Sequence, residues 1–599
     1  MIFYDFEVFK YDHLAVFINS DTREIFPIVN DDEAFKRLYQ QNANNIWVGF
    51  NNRHYDQYIY KSILLGINPK EVNDKIIVDG KEGWQISTQF NKIPMINYDV
   101  FSTRSYGLKT LEGFMGKNIK ETDVPFNIDR PLTPKEIQQT IGYCTSDVEN
   151  TAEVFMENID TFNAFFDLIK AFPDQLTMTN MGDTSAQITA NILGCERHEW
   201  DDEFDFYFLP CLKLDKYKCV LDWFEECRKE ALSLNLAHAS EKAKQEWYKS
   251  KSLTLDIAGV PHTFGFGGCH GADDKPIYLS GGLYHVDVNN YYPSLLLAYM
   301  LVTRAATNDN FKVIYNTRKQ LKYKQTHAKD KAEAKHYKKA QLPYKLVLNA
   351  LSGAMKDKRN KAYDPRNNNI MCINGQLMIL DLIEHLEVIP GFRLVQSNTD
   401  GLIVQIPDTN EAFEMLDDLC YEWESRCSTE NCDILLETDQ IARIYQKDVN
   451  NYLWVDLDGG VERKGAYVKE LTRLDYDLPI VNKAMVKCLV DKIPVEDTIN
   501  SCKDLIEFQK LVKLSSKYEH VEHNGIKYDY KCYRVFASLD SKDGKILKCR
   551  SGNNPAKFGN TPDRCFIENG DVRDLPIPIK LDRRWYIDLA KKRLKDFGL

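Results

Sequence analysis

None of the apolar runs in the 599 residues is long enough to cross a bilayer, which takes about 20 residues as a helix. No membrane partner is therefore expected. The first residues carry Asp5 and Glu7 and no basic stretch, so no secretory signal is read and the expected compartment is the cytoplasm. The fifteen cysteines fall into no paired metal-ligand pattern. Cys427 and Cys432 are the closest pair, and neither a second pair nor a histidine pair follows. That excludes a zinc-finger framework and a disulfide scaffold and leaves reduced thiols. Internal repeats and low-complexity tracts are absent too, which sets aside solenoids and disordered chains. Nor is there a basic excess. A net charge of −11 speaks against nucleic acid as a partner unless the local charge runs the other way.

Locally it does. Residues 311–361 hold fifteen Lys/Arg against three Asp/Glu, a net of +12. A basic strip on an acidic body suits a DNA groove or a triphosphate site, although a lysine-rich solvated hairpin has the same composition. The length exceeds one core, and 43% hydrophobic with 12% aromatic residues indicates several ordered globular domains. Residues 1–190 alternate short strands and helices. Residues 195–262 read as a helical connector, followed by the glycine-rich turn Phe264–Gly271. Residues 305–361 read as two helices with a turn near Gln341-Leu342-Pro343. Residues 372–406 read as a helix and then a hairpin at Asn398–Gly401, since Asp-Gly is a strong hairpin signal. A last helix spans Trp585–Phe597.

Two groups of carboxylates stand out. Asp287 ends an apolar strand in His285-Val286-Asp287-Val288-Asn289-Asn290-Tyr291-Tyr292-Pro293-Ser294, and Asp400 ends another in Ser397-Asn398-Thr399-Asp400-Gly401. Between them lie Lys345-Leu346-Val347-Leu348-Asn349 and, on a preceding helix, Arg318 and Lys322. Two carboxylates with intervening cations suit a site for Mg²⁺ and a nucleoside triphosphate. The second group starts with Asp5 and Glu7, two apart on a strand and so on one face. Asp56 opens a helix after Gly49-Phe50-Asn51-Asn52. Tyr143 and Asp147 lie four apart on a helix that Thr133-Pro134-Lys135-Glu136 starts as a capping box. Four carboxylates and a tyrosine can bind two divalent metals and position a hydrolytic water.

In order and wording, the segments around Asp287, Lys345 and Asp400 resemble the motifs of the family B (alpha-like) DNA polymerases. The set Asp5/Glu7, Asp56 and Tyr143/Asp147 resembles that family's 3′–5′ proofreading exonuclease. The resemblance spans roughly residues 1–470 and implies a multidomain α+β fold. A ribonuclease H-like exonuclease domain (1–192) would lead through a connector and linker (193–270) to a right hand. That hand would comprise palm (271–304 and 362–470), fingers (305–361) and a thumb or C-terminal region (471–599). It also implies a DNA-directed DNA polymerase that takes primer-template DNA and dNTPs, with two Mg²⁺ (or Mn²⁺) per active site. A helicase or single-strand-binding protein would be a further partner. The compact layout, with the first motif at residue 5, resembles enzymes of bacterial viruses or mobile elements, acting in a host cytoplasm.

By the same resemblance, Asp287, Asp400 and the Val288 carbonyl would hold the polymerase metals, and Asp5, Glu7, Asp56 and Asp147 those of the exonuclease. Tyr292 would lie under the incoming sugar and exclude a 2′-OH. Arg318, Lys322, Lys345 and Asn349 would contact the triphosphate. Asn51 or Asn52 would touch the single-stranded 3′ end, Lys464 the duplex backbone, and Lys120 would assist phosphodiester cleavage or be a plain surface lysine. The chain departs from the family at Asn398, where an aspartate is usual, at Gln396 for tyrosine, and at Ala350 and Ser352 for serine and tyrosine. Asn450 and Asn451 stand where lysines are usual. Two rivals remain. One is a protein-primed polymerase, for which the spacings of 58 residues (Asp287 to Lys345) and 55 (Lys345 to Asp400) leave little insertion. The other is a non-catalytic replisome subunit, which would have no use for a full set of carboxylates.

Overall fold

The computed structural model describes residues 1–103 and 106–599. They form a mixed α/β protein of two compact units, neither of which is one run of chain. Unit one holds residues 1–184, 471–481 and 496–588, and unit two holds 185–470, 482–495 and 589–599. The segment 471–599, expected as one C-terminal region, is thus shared between them. Among the described residues no helix is long and apolar enough to cross a membrane.

Unit one is built on five strands: β1 Ile2–Val8, β2 His13–Asn19, β3 Ile25–Val29, β4 Ile46–Gly49 and β5 Ile96–Asp99, in the order β3-β2-β1-β4-β5. β4 lies parallel to β1 and to β5, and β2 antiparallel to β1 and β3. Strand alternation sorts the faces of β1. Ile2, Tyr4, Phe6 and Val8 join a core with Phe17, Phe35, Trp47 and Tyr60. Asp5 and Glu7 take the other face, on the side of Cys144, whose helix Pro134–Glu157 starts with the expected Thr133–Glu136 capping box.

The rest of unit one comes from the far end of the chain. Strands Lys510–Lys513, Cys532–Ala537 and Cys565–Ile567 form one antiparallel sheet, and Ile526–Tyr528, His520–His523, Leu547–Cys549 and Ala556–Lys557 another. Arg534 fastens this β module to the N-terminal part. It is fully buried, and its guanidinium donates to the carbonyls of Gly113, Lys117, Glu568 and Gly570 and to Gln509 Oε1. Ile119 N–H to Asn569 O and Val572 N–H to Gly116 O, at 2.8 and 2.9 Å, extend the join.

Unit two carries a nine-stranded antiparallel sheet. Its strands are β6 Leu253–Ile257, β7 Val260–Phe264, β8 His270–Ala272, β9 Ile277–Val288, β10 Arg393–Ser397, β11 Gly401–Gln405, β12 Leu436–Asp448, β13 Asn451–Asp456 and β14 Val461–Lys464. The order is β14-β13-β12-β9-β11-β10-β8-β7-β6. The expected hairpin is present between β10 and β11, closed by Asn398 N–H to Gly401 O at 2.8 Å. Two expectations change. The connector is helical only to Ser250; beyond it β6 and β7 pair as a hairpin around Ala258-Gly259, both with positive φ. The basic segment forms three helices, not two: Asn310–Thr326, Lys331–Ala340 and Leu342–Lys356. Asp330 caps the added helix through Ala332 N–H and Glu333 N–H.

Candidate active sites

In unit one, the sheet face of Asp5 and Glu7 meets the start of the helix Asp56–Leu64 and the middle of the helix Pro134–Glu157. Phe6 N–H donates to Asp56 Oδ1 at 3.1 Å, fixing that carboxyl beside β1. Glu7, Asp56 and Asp147 are buried. Burial, then the charges of Asp56, Glu7 and Asp147, pushes Asp5 well above the usual carboxylate range. Glu7 is raised likewise by burial, Asp147 and Asp56, with Lys109 opposing. Burial lifts Asp56 to about 7 against two backbone N–H bonds. Among the described residues these carboxylates outnumber the nearby cations, so the cluster has room for more positive charge than those side chains supply. Its oxygen-rich donors fit a hard divalent cation, and one sulfur joins them. Ligand atoms of Asp5, Glu7 and Cys144 lie within 4.8 Å of one another.

Lys109, which sequence reasoning missed, brings a cation to this cluster. Its Nζ lies 2.6 Å from Asp147 and 3.1 Å from Glu112, and 4.5 Å from the Tyr143 ring centroid. Glu112 is fully buried and raised to about 7, chiefly by burial. Lys109 and Glu112 sit on the short helix Leu108–Phe114, in no motif; only their i, i+3 spacing was visible. The lysine expected in this role, Lys120, is exposed and lines a cavity of about 300 Å³ together with Lys109 and Tyr143. Asn51 is exposed in a left-handed conformation (φ 59°), as a ligand-facing turn allows. Asn52 corrects the expectation of a DNA contact. It is fully buried and its Nδ2 is spent on Asn97 Oδ1 and Tyr98 O, so it holds the loop from within. The helix at Asp56 starts from Tyr55, which makes no side-chain bond there.

In unit two, β9, β11 and β12 bring three carboxylates together. Asp287 pairs across to Gly401 on one side and to Glu437 on the other. A Cβ at Gly401 would lie 2.8 Å from Asp287 Oδ1, so only glycine leaves this carboxyl room. Val288 N–H donates to Asp400 O at 2.8 Å. The N–H and C=O of one strand residue leave on the same edge, so the Val288 carbonyl also points toward the Asp400 turn. Burial first, then Asp400 and Glu437, raises Asp287 to about 7, with Lys322 opposing. These carboxylates share the end of the sheet, but their ligand atoms are not gathered within 4.8 Å of one another as those of Asp5, Glu7 and Cys144 are. Glu437 was not expected; it carries no motif and only strand register reveals it.

Of the expected cations, Lys322 bonds Glu437 at 2.7 Å and Asn289 at 3.1 Å, and Arg318 donates to Asn290. Both therefore meet the turn that follows Asp287. Lys345 and Asn349 are exposed, one turn apart on the helix Leu342–Lys356, and make no side-chain bond to this group. Tyr292 stacks on Tyr291 with centroids 5.5 Å apart, and a Cβ at Gly375 would meet its ring at 2.9 Å. Lys464 ends β14, with Nζ 5.8 Å from the Tyr452 ring centroid. Burial and Lys464 depress the His270 imidazole while Asp400 opposes them, which puts Lys464 and Asp400 around one side chain. Gln396 is fully buried beneath the hairpin and Asn398 partly so. Burial raises the Tyr452 hydroxyl, and the neighbouring Asn398 and Gln396 amides oppose it.

No family model and no curated protein sequence matches this chain. Among solved structures, the family B DNA polymerase from the hyperthermophilic archaeon Pyrobaculum calidifontis is similar over 100% of this chain and 77% of its own, at 13% identity and a TM-score of 0.40. At that score the likeness decides nothing about chemistry, which rests on the residues above.

Proposed function

We propose that this chain is a DNA-directed DNA polymerase of the family B kind, with nucleotidyl transfer in unit two and 3′–5′ exonuclease hydrolysis in unit one. The observation that carries the reading is the convergence of Asp287, Asp400 and Glu437 at strand ends, faced by Arg318 and Lys322. Asp287, Asp400 and the Val288 carbonyl would hold divalent cations there, and Asp5, Glu7, Asp56 and Asp147 would do so in unit one. When bound, such cations activate the attacking oxygen and neutralise charge on the phosphate. The chain's own groups do the rest. Arg318 and Lys322, with the exposed Lys345 and Asn349, offset triphosphate charge and orient the leaving pyrophosphate. The Tyr292 ring, held against Gly375, supports the sugar and leaves no space for a 2′-OH. Lys464 contacts the primer-template backbone, and Asn51 the frayed 3′ end. In the nuclease, Lys109 balances Asp147 and Glu112, and the Tyr143 hydroxyl positions the hydrolytic water.

Separate alanine substitutions test the two-site reading. Asp287→Ala or Asp400→Ala should abolish nucleotide addition in a primer-extension assay with Mg²⁺ and spare degradation of single-stranded DNA. Asp5→Ala with Glu7→Ala should do the reverse. Loss of both activities from either change, in protein still folded, would refute it.

A further inference from the structure

Unit two holds a second concavity outside the carboxylate site, a cavity of about 770 Å³. Aromatic, amide and cationic groups line it, together with three carboxylates, Glu203, Glu241 and Asp357, each held in an ion pair. The aromatic wall is Tyr248 and Phe266, with centroids 5.2 Å apart in an edge-on pair. The Tyr248 ring is held by its hydroxyl, which donates to Glu203 at 2.8 Å and accepts from Asn369 at 3.0 Å. The rim carries Lys249 and Lys356, both exposed and neither in an ion pair among the described residues. Between wall and rim stands Asn368, 6% exposed, in the first turn of the long helix Pro365–Leu386. Its carboxamide makes no hydrogen bond to protein among the described residues, whereas neighbouring Asn367 and Asn369 spend theirs on backbone carbonyls. A buried amide facing a cavity without a partner is costly unless a ligand or water satisfies it.

We infer that this cavity binds one unpaired nucleotide. Its base would lie on the Tyr248/Phe266 wall with its edge on the Asn368 carboxamide, and its phosphate would meet Lys249 and Lys356. A ring face, an amide that both donates and accepts, and loose cations are what a base, its edge and a phosphate require. The glycine-rich segment connects the cavity to the hairpin. Gln376 clamps it through the carbonyls of Gly265 and Gly267, at 2.7 and 2.6 Å. A Cβ on Gly268 would lie 3.0 Å from Thr399 Oγ1, next to Asp400. Two residues of chain span at most about 7 Å, so the wall at Phe266 stands close to the proposed synthesis site. A strand nucleotide and a free nucleotide share this chemistry. The inference rests on the polymerase reading only for which of the two is used.

The test is direct binding to the full-length protein in EDTA, which needs no catalysis. Fluorescence anisotropy with a labelled thymidine decamer should show binding that Asn368→Leu and Lys249→Glu each weaken about ten-fold. Circular dichroism and the nuclease rate serve as folding controls. Competition by unlabelled dTMP at millimolar concentration would assign the cavity to a free nucleotide, and its failure to compete would assign it to a strand. Either result supports the site. If both variants bind the decamer like the parent, the inference is overturned, whatever primer extension shows. A parent that binds and fails to extend primers would instead sink the polymerase reading alone.

Discussion

Replacing Arg534 by methionine should cost unit one about 4 kcal/mol and most of the nuclease activity proposed for it. The guanidinium makes five bonds, four to backbone carbonyls, in full burial, and no ion pair offsets it among the described residues. Burial brings its pKa down to about 10, so it remains charged at neutral pH. A bond from a charged donor contributes on the order of 1.5 kcal/mol or more, and each acceptor left buried and unpaired costs about 1–3 kcal/mol. Relief of the buried charge offsets part of that sum, which brings it to the range of about 3–5 kcal/mol for a broken buried set. Two of the orphaned carbonyls, Gly113 and Lys117, end or follow the helix Leu108–Phe114, which carries Lys109 and Glu112. Loosening it should displace Lys109 from the carboxylate cluster of unit one. Urea denaturation read by hydrogen exchange reports the two units separately. Exchange at residues 113–117 and 532–537 should quicken together. A change in unit-one stability under about 1 kcal/mol, the size of an ordinary surface substitution, would refute the reasoning. Loss of nucleotide addition as deep as the loss of nuclease would do so too.

Lys109→Met should lower single-strand degradation at least a hundred-fold and move the acid limb of its pH profile upward. Lys109 holds the Glu7 and Glu112 pKa values down, so its removal lets them bind protons at higher pH; an unshifted limb would mean it acts elsewhere. Tyr292→Ala should raise ribonucleotide use, measured as the ratio of dNTP to rNTP incorporation efficiency, and an unchanged ratio would leave Tyr292 a packing residue. Asn398→Asp should leave primer extension within about ten-fold of the parent, whereas Asp400→Asn should abolish it, because an amide binds a hard cation weakly. Equal damage from both would overturn the roles assigned within the hairpin.

The parts legible in the sequence were those with a local code. The capping box at Thr133–Glu136, the alternation in β1 and the Asp-Gly hairpin each depend on a few neighbouring residues, and each appears as expected. Glu437 and Lys109 were silent because their roles come from long-range placement. Glu437 faces Asp287 only through β9–β12 register, and Lys109 reaches Asp147 across 38 residues of chain. Asn52 misled for the opposite reason. It neighbours Asn51 in a polar pair, and sequence does not tell which of two adjacent amides turns inward. The C-terminal β module was unreadable since its short strands find partners and core only in company.

Arg534 also has a consequence for the order in which the protein is made. Residues 1–184 leave the ribosome before the middle of the chain, yet the segments that complete their unit begin at residue 471, about 290 residues later. At roughly 5–20 residues per second, the delay is on the order of 15–60 s. Through that interval Gly113 and Gly116 stand uncovered where Leu511 and Ile506 later fit. Unit one is therefore begun before unit two and completed only after most of it. A ribosome that stalls or a protease that trims the tail would damage the beginning of the chain before its middle.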